Sequence, residues 1–192
     1  MTTFYMKGRK QDGFTLVELL IVAIILAILA AIVVPQFANS TAGANDSALR
    51  SNLAGIRSAI DLYAQQHGST FPGAVAAIGA TCTGGNAGAG AIDTQVAVQE
   101  QLQFYSNAAG QTCTIADVPA GGVVEFPFGP YVKGLIPSNP VTSVGTMTIV
   151  TTGNLAMVGA GAAGGWRYDT TSGKYIADDT NTDTNGTRYD AY

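Results

Sequence analysis

The sequence predicts an α+β protein in which the outer half of a long N-terminal helix packs on a small antiparallel β-sheet. Three observations predict this fold. An unbroken run of sixteen apolar residues occupies positions 19–34, an apolar stripe with helical spacing follows it, and short strand patterns separated by turn residues fill the last third of the chain. A length of 192 residues suits one such domain together with a membrane segment.

The apolar run is long enough to cross a membrane once. Counted from Phe14 it has twenty-one residues, which as a helix span about 31 Å, close to the hydrocarbon core of a bilayer. Lys7, Arg9 and Lys10 precede it, so the positive-inside rule places the first residues in the cytoplasm and the remainder outside. A secretory signal peptide fits less well, because its apolar middle has only about 7–15 residues.

Glu18 lies inside the leading edge of this apolar run. A carboxylate in the membrane costs about 2.5–3.5 kcal/mol on insertion scales, so a plain signal anchor leaves Glu18 unexplained. The alternative is a side chain that only reaches back to the cytoplasmic surface. We therefore expect Glu18 to have a function.

The helix is predicted to continue beyond the membrane to residue 67, where Gly68 ends it. Pro35 follows the apolar run, and we expect this long helix to kink or unwind there. The apolar positions of the outer half are three or four residues apart and form one stripe: Leu49, Leu53, Ile56, Ile60 and Tyr63.

The globular part is predicted to mix loops, a short helix and strands. One helical turn is expected at 74–78, and Asp93 is expected to cap a helix that ends near residue 107. The last two strands are predicted to form a hairpin. The strand patterns lie at 123–126, 147–152, 155–158, 166–168 and 174–177.

Composition excludes several classes of function. Nine Lys and Arg residues against thirteen Asp and Glu residues leave no basic surface for nucleic acid. One His and two Cys are too few for a zinc site with the usual four ligands. Because nucleophile motifs, paired carboxylates at helical spacing and phosphate loops are also missing, the sequence does not predict an enzyme.

The segment GFTLVELLIV, residues 13–22, resembles the prepilin signature shared by type IV pilins and type II secretion pseudopilins. In that family a membrane peptidase cuts after the Gly and methylates the new N-terminus. The resemblance therefore implies cleavage between Gly13 and Phe14 and N-methylation of Phe14. It also gives Glu18 a role in assembly, in which the carboxylate meets the charged amino group of a neighbouring subunit.

The resemblance also implies a domain organisation and a location. We expect one span in the inner membrane, a cytoplasmic N-terminus and a periplasmic or extracellular globular domain, before the chain enters a filament. The expected segments are a leader at 1–13 that is removed, a transmembrane and polymerisation helix at 14–35, the outer half of the helix at 36–67 and a pilin-like domain at 68–192.

The function implied is that of a structural subunit of a pilin-like filament. Looser similarity of residues 129–137 and 165–173 to the major pseudopilin favours a type II secretion pseudopilin. The alternatives are a major or minor pilin of a type IV pilus, and a membrane-anchored binding module that does not polymerise. The expected partners are copies of the chain, other pilins or pseudopilins, prepilin peptidase and the inner-membrane assembly platform, but not nucleic acid.

Cys82 and Cys113 both lie on the outward side, in a compartment that permits disulfides. We expect them to be bridged, which would stabilise the fold by about 3–4 kcal/mol. Two free thiols are the alternative.

The polar tail at 178–186 alternates oxygen-bearing side chains with Thr, and calcium prefers oxygen ligands. Major pseudopilins bind calcium in their C-terminal loops. The resemblance requires no cofactor but allows calcium at Asp178, Asp179, Asn181 and Asp183. A solvated polar tail is the alternative.

Overall fold

The computed structural model describes residues 13–79, 81–116, 125–161 and 164–192, in two compact units that divide between residues 41 and 42. The described part of the first unit is the start of a long helix. The second unit contains the rest of that helix and all the other elements. In chain order these are α1 (Leu16–Gln66), α2 (Gln95–Gln103), β1 (Tyr105–Ser106), β2 (Thr112–Cys113), β3 (Met147–Val150), β4 (Trp166–Asp169), β5 (Tyr175–Ala177) and a 3₁₀ turn at Tyr189–Ala191.

Helix α1 ends within one residue of its predicted end. Gly68 and Ser69 both have positive φ, and the Ser69 N–H donates to the Ala64 carbonyl at 2.8 Å, which satisfies one carbonyl of the last turn. The helix also includes Pro35 without interruption, so the chain does not unwind there. A kink at Pro35 stays a prediction.

The predicted stripe of α1 forms the core of the second unit. All five side chains are buried and lie in one cluster with Val98 and Leu102 of α2 and with the aromatic residues of β4 and β5. Trp166 stacks on Tyr175, with ring centroids 5.2 Å apart. Because a helical period of 3.6 places these five residues on one face, the sequence pattern alone identified the buried side.

The three-stranded sheet has the order β3-β4-β5 and is mixed. Strands β4 and β5 form the predicted antiparallel hairpin, whereas β3 runs parallel to β4. A parallel pair needs a long crossover, and residues 151–165 supply it. The α+β class is therefore confirmed, with one parallel pair where an antiparallel one was expected.

The strand predicted at 155–158 does not form. These residues lie in the crossover, where Leu155 and Val158 are exposed and Met157 is buried. The strand predicted at 123–126 is also wrong for its described part. Glu125 and Phe126 are not in a strand, while residues 123 and 124 lie outside the described residues.

The start of α2 differs from the prediction by one residue. Thr94 is the cap, and its hydroxyl oxygen accepts the Ala97 N–H at 3.2 Å. Asp93 instead has a φ of 56°, and its carboxylate accepts the Thr170 hydroxyl at 2.6 Å. Either side chain is a good cap by type, so the tertiary contact with Thr170 decides between them.

The helical turn expected at 74–78 is also absent. Residues there form bends, and the backbone of Ala77 forms hydrogen bonds with residues distant in sequence rather than with the next turn of a helix. Its N–H donates to the Gly90 carbonyl and its carbonyl accepts the Thr112 N–H, both at 2.9 Å. Ala77 therefore lies beside β2, where the hydrogen bond from Thr112 holds it.

Candidate processing and assembly site

The start of α1 is a reciprocal capping box formed by Thr15 and Glu18. The Glu18 carboxylate accepts the Thr15 backbone N–H and the Thr15 hydroxyl, each at 2.8 Å. In return, the Glu18 N–H donates to the Thr15 hydroxyl oxygen at 3.2 Å. The pattern Thr-x-x-Glu is the sequence signature of such a cap, so this contact was readable from the sequence but was missed.

Gly13 and Phe14 lie directly before this cap, in non-helical backbone. Phe14 is 82% exposed, and no atom lies within 4 Å of the position that a Cβ on Gly13 would occupy. A protease needs an accessible, non-helical backbone, and the chain presents one at the Gly13–Phe14 bond. Glu18 is about one helical turn from the amino group that cleavage there would create.

The first half of α1 is the one segment of the described chain that is long and apolar enough to cross a membrane. Its most apolar 18-residue window has a mean hydropathy of 3.2, and none of that window is buried against the rest of the chain. Leu19, Ile24 and Val34 are among the exposed side chains. Such a surface requires lipid or other apolar helices around it.

The predicted disulfide is confirmed. Cys82 and Cys113 are bridged, with their Cα atoms 5.7 Å apart. Cys113 is fully buried on β2, whereas Cys82 lies in the Gly-rich loop. Glu100 of α2 holds the same loop, because its carboxylate accepts the N–H groups of Ala89 and Gly90 at distances of 2.8–3.1 Å. The loop is thus fastened covalently to β2 and by hydrogen bonds to α2.

Gln101 is a buried polar residue that sequence reasoning did not single out. Its Oε1 accepts the Gly73 N–H at 2.6 Å, and its Nε2 donates to the carbonyls of Val75 and Gly110 at 3.0 and 2.7 Å. One fully buried amide therefore joins α2 to two separate loops. In the sequence it is one of several glutamines on α2, with no signal to distinguish it.

His67 has a structural role just after the end of α1. Its ring stacks on Tyr63, and its two ring nitrogens lie 2.9 Å from the Tyr63 carbonyl and 3.0 Å from the Asn107 carbonyl. Burial lowers the pKa of His67 below its ordinary value of 6.5, although these two hydrogen bonds act in the opposite direction.

The structure does not gather the four tail residues proposed for calcium into a cation site. The carboxylates of Asp178, Asp179 and Asp183 each accept a hydrogen bond from a backbone N–H group. Within the described ranges, no group of three or more His, Cys, Asp or Glu side chains is arranged to hold a metal ion. As they are arranged, these residues do not fit a calcium ion.

Comparison with known proteins shows similarities in the N-terminal region of the chain. The family described as the prokaryotic N-terminal methylation motif matches residues 8–34. Type II secretion system core protein G of Pseudomonas aeruginosa is 41% identical over 58 residues, which are 30% of this chain and 41% of that protein. The protein of the same name from Aeromonas hydrophila is 38% identical over 58 residues, again 30% of this chain and 41% of that protein.

A type IV pilus protein is similar to this chain with about the same identity and coverage. Type IV major fimbrial protein FimA of Dichelobacter nodosus is 42% identical over 66 residues, which are 33% of this chain and 42% of FimA. The chain thus spans about two fifths of the length of the curated relatives it matches. No solved structure matches it. By its methylation motif and these relatives, the N-terminal region of the chain is similar to type IV pilins and type II secretion pseudopilins.

Proposed function

We propose that this chain is a structural subunit of a pilin-like filament, specifically a major-type pseudopilin of a type II secretion system. Prepilin peptidase would cleave it between Gly13 and Phe14 and methylate Phe14. The observation that carries the proposal is the coincidence of the methylation motif with a helix start that presents Glu18 beside an accessible Gly13–Phe14 bond.

The exposed apolar surface of the first half of α1 supports polymerisation through this helix. Before assembly that surface lies in the inner membrane, and afterwards the equivalent helices of neighbouring subunits cover it. Both environments are apolar, so the helix can move from one to the other without exposing its side chains to water.

Glu18 would then direct the position of each incoming subunit. An ionised carboxylate in an apolar helix bundle is costly, and a nearby ammonium group offsets much of that cost. The amino group of Phe14 in a neighbouring subunit is the partner that cleavage would supply. Pairing of these two groups would set the stagger between adjacent helices.

The orientation follows from the charges of the leader and from the disulfide. Lys7, Arg9 and Lys10 would stay in the cytoplasm, where prepilin peptidase and the assembly platform act on the chain. The globular unit would then face the periplasm, an oxidising compartment that suits the Cys82–Cys113 bridge.

Identification of the mature N-terminus tests the processing step. Protein extracted from membranes of its native host should begin at Phe14 and carry one additional methyl group by intact-mass and N-terminal peptide analysis. Gly13→Val should accumulate with its leader, whereas Gly8→Val, a matched change within the leader, should be processed normally. A mature chain that starts near residues 38–45 would show that the segment is an ordinary secretory signal.

A type IV pilus pilin is the second candidate, because FimA is as similar in identity and coverage as the core proteins G. Deletion of the coding sequence separates the two. Loss of protein secretion with surface fibres intact supports the pseudopilin, whereas loss of surface fibres with secretion intact supports the pilin. If both processes were unaffected, neither filament role would hold.

A further inference from the structure

We propose that the acidic C-terminal segment folds without a bound calcium ion, because arginine side chains, backbone N–H groups and hydroxyls occupy the carboxylate oxygens of Asp178, Asp183 and Asp190. Asp178 and Asp183 are among the residues that the pseudopilin resemblance offers to calcium. The segment comprises residues 178–190 in the second compact unit. The inference does not rest on the proposed filament function, since it concerns only how this unit is held together.

Asp190 shows the arrangement most completely. Its side chain is 3% exposed and faces Arg188, whose Nη2 and Nε donate to the two carboxylate oxygens at 2.6 and 3.0 Å. The backbone N–H of Gly159 donates to the same carboxylate at 2.7 Å. The guanidinium of Arg188 lowers the pKa of Asp190, as expected for an ionised carboxylate with a charged partner.

Asp178 is held in the same way by a second arginine. Its side chain is 9% exposed, and Oδ1 accepts both the Arg167 Nε–H at 3.2 Å and the Ala160 backbone N–H at 2.7 Å. The other oxygen, Oδ2, accepts the Thr148 hydroxyl at 3.2 Å. Both oxygens of this carboxylate are therefore used by the protein itself.

The Asp183 carboxylate accepts backbone hydrogen bonds and also lies near an arginine that is distant in sequence. Its Oδ1 accepts the N–H groups of Asn185 and Thr187, both at 2.8 Å, and its Oδ2 accepts the Tyr192 hydroxyl at 2.6 Å. Arg50 of α1 lies 3.6 Å from Oδ2 and also covers the Tyr192 ring at 3.9 Å. The carboxylate side chain is 1% exposed, so Arg50 supplies the charge compensation from the solvent side.

Asp179 provides one unoccupied oxygen. Its Oδ1 accepts the Asn181 N–H at 2.9 Å, and its buried Oδ2 has no partner among the described residues. Calcium takes about six to eight oxygen ligands, so a single free oxygen does not make a site. A calcium ion would have to displace the arginines from Asp178, Asp183 or Asp190 to obtain more.

These carboxylates hold the crossover between β3 and β4. Gly159 and Ala160, which donate to Asp190 and Asp178, are consecutive residues of that crossover. The backbone of the crossover also forms hydrogen bonds with the C-terminal segment. The Gly164 N–H donates to the Asp178 carbonyl, and the Thr180 N–H donates to the Gly161 carbonyl. The arginine-held carboxylates therefore fix the loop that makes β3 parallel to β4.

Thermal unfolding of the full chain in detergent micelles tests the inference. The near-ultraviolet circular dichroism of the buried Trp166 and tyrosines reports on the second unit alone. We expect the same Tm in excess EGTA and in millimolar calcium chloride, with magnesium chloride as the control for ionic strength. Any upward shift specific to calcium in the wild-type chain would overturn the inference.

Charge-matched variants test the role of the arginines. Arg188→Gln should lower Tm by roughly 5 °C or more in EGTA, because it leaves the buried Asp190 carboxylate without its charged partner. Lys133→Gln removes the same charge from an exposed position and should leave Tm nearly unchanged. Equal effects of the two variants would contradict the inference. If Arg188→Gln yields no folded protein, Arg188→Lys replaces it and should also melt below Lys133→Gln.

Discussion

The carboxylate of Glu18 accepts hydrogen bonds from both the backbone N–H and the hydroxyl of Thr15 at 2.8 Å, and both bonds end on the same oxygen, Oε2. The carboxylate is therefore fixed at the start of the helix while Oε1 can still accept from another donor. Capping of α1 and pairing with a neighbouring amino group are compatible roles for one side chain. Substitutions can separate them.

Glu18→Gln should be inserted and cleaved normally but should fail to assemble. A glutamine can still accept the Thr15 N–H, so the cap is retained, whereas the negative charge that an ammonium partner requires is lost. Glu18→Ala should fail in the same way. Thr15→Ala is the control, since it removes the hydroxyl and keeps the charge. Filaments sheared from cells and quantified by immunoblot provide the measurement, and normal assembly of Glu18→Gln would exclude charge pairing.

The bridge between Cys82 and Cys113 should make both sulfurs unreactive toward a maleimide in native, unreduced protein. Replacing both cysteines with alanine should lower the free energy of unfolding by about 3 kcal/mol, because the unfolded chain gains the entropy of an open loop. A reducing agent should lower the Tm of the wild type toward that of the double variant and leave the variant unchanged. Labelling of the native protein at either position would contradict the prediction.

Gln101→Glu should be far more harmful than the same change at Gln103. At position 101 the carboxylate would replace the Nε2 donor and face the Val75 and Gly110 carbonyls, so we expect a loss of about 3 kcal/mol or more in the free energy of unfolding. Gln103 lies on the same helix and is only half-buried, and its substitution should cost little. Denaturant titrations of the two variants measure the difference, and similar midpoints would show that the buried amide contributes nothing specific.

The stability of the globular unit should fall as the pH drops below 6.5. Burial lowers the pKa of His67 in the folded chain, so between its ordinary value of 6.5 and its folded value the unfolded state binds a proton that the folded state does not. The stability contribution is therefore complete above pH 6.5 and is lost as the pH falls through that window. Tm measured against pH is the test.

A His67→Gln variant distinguishes the effect of His67 titration on Tm from the effect of the carboxylates. His67 is the single histidine in the chain. The carboxylates of Asp169, Asp183 and Asp190 have pKa values lowered from 3.8 and so titrate in more acidic solution. The variant should lose the dependence of Tm on pH just below 6.5. A variant that kept the wild-type slope there would show that another group titrates in this window.

Periodic and local signals were sufficient to predict much of this molecule. The buried stripe of α1 follows from spacing alone, since Leu49 and Tyr63 differ by fourteen residues, nearly four turns. The hairpin of β4 and β5 follows from two strand patterns joined by a loop that contains Gly173. The processing motif at Gly13 is contiguous in the sequence, so its recognition needed no tertiary information.

What the sequence did not predict depends on partners that are distant along the chain. Asp93 loses its capping role because Thr170, 77 residues later, binds its carboxylate. Residues 155–158 have the apolar content of a strand, but β3 pairs with β4 in parallel and leaves them in the crossover. The tail carboxylate of Asp183 resembles a cation ligand until the position of Arg50, 133 residues earlier in the chain, is known. In each case a second residue, far away in sequence, determines the outcome.

The contacts of Arg57 have a consequence for how the protein is made. Its guanidinium donates to the backbone carbonyls of Tyr175 and Tyr192, which are 118 and 135 residues further along the chain. During synthesis, therefore, the outer half of α1 emerges long before the strands that cover it. Its apolar stripe stays unprotected until those strands have also emerged. In the periplasmic orientation proposed above, folding would consequently require a periplasmic holding factor, or a rate of translocation that exceeds the rate of aggregation.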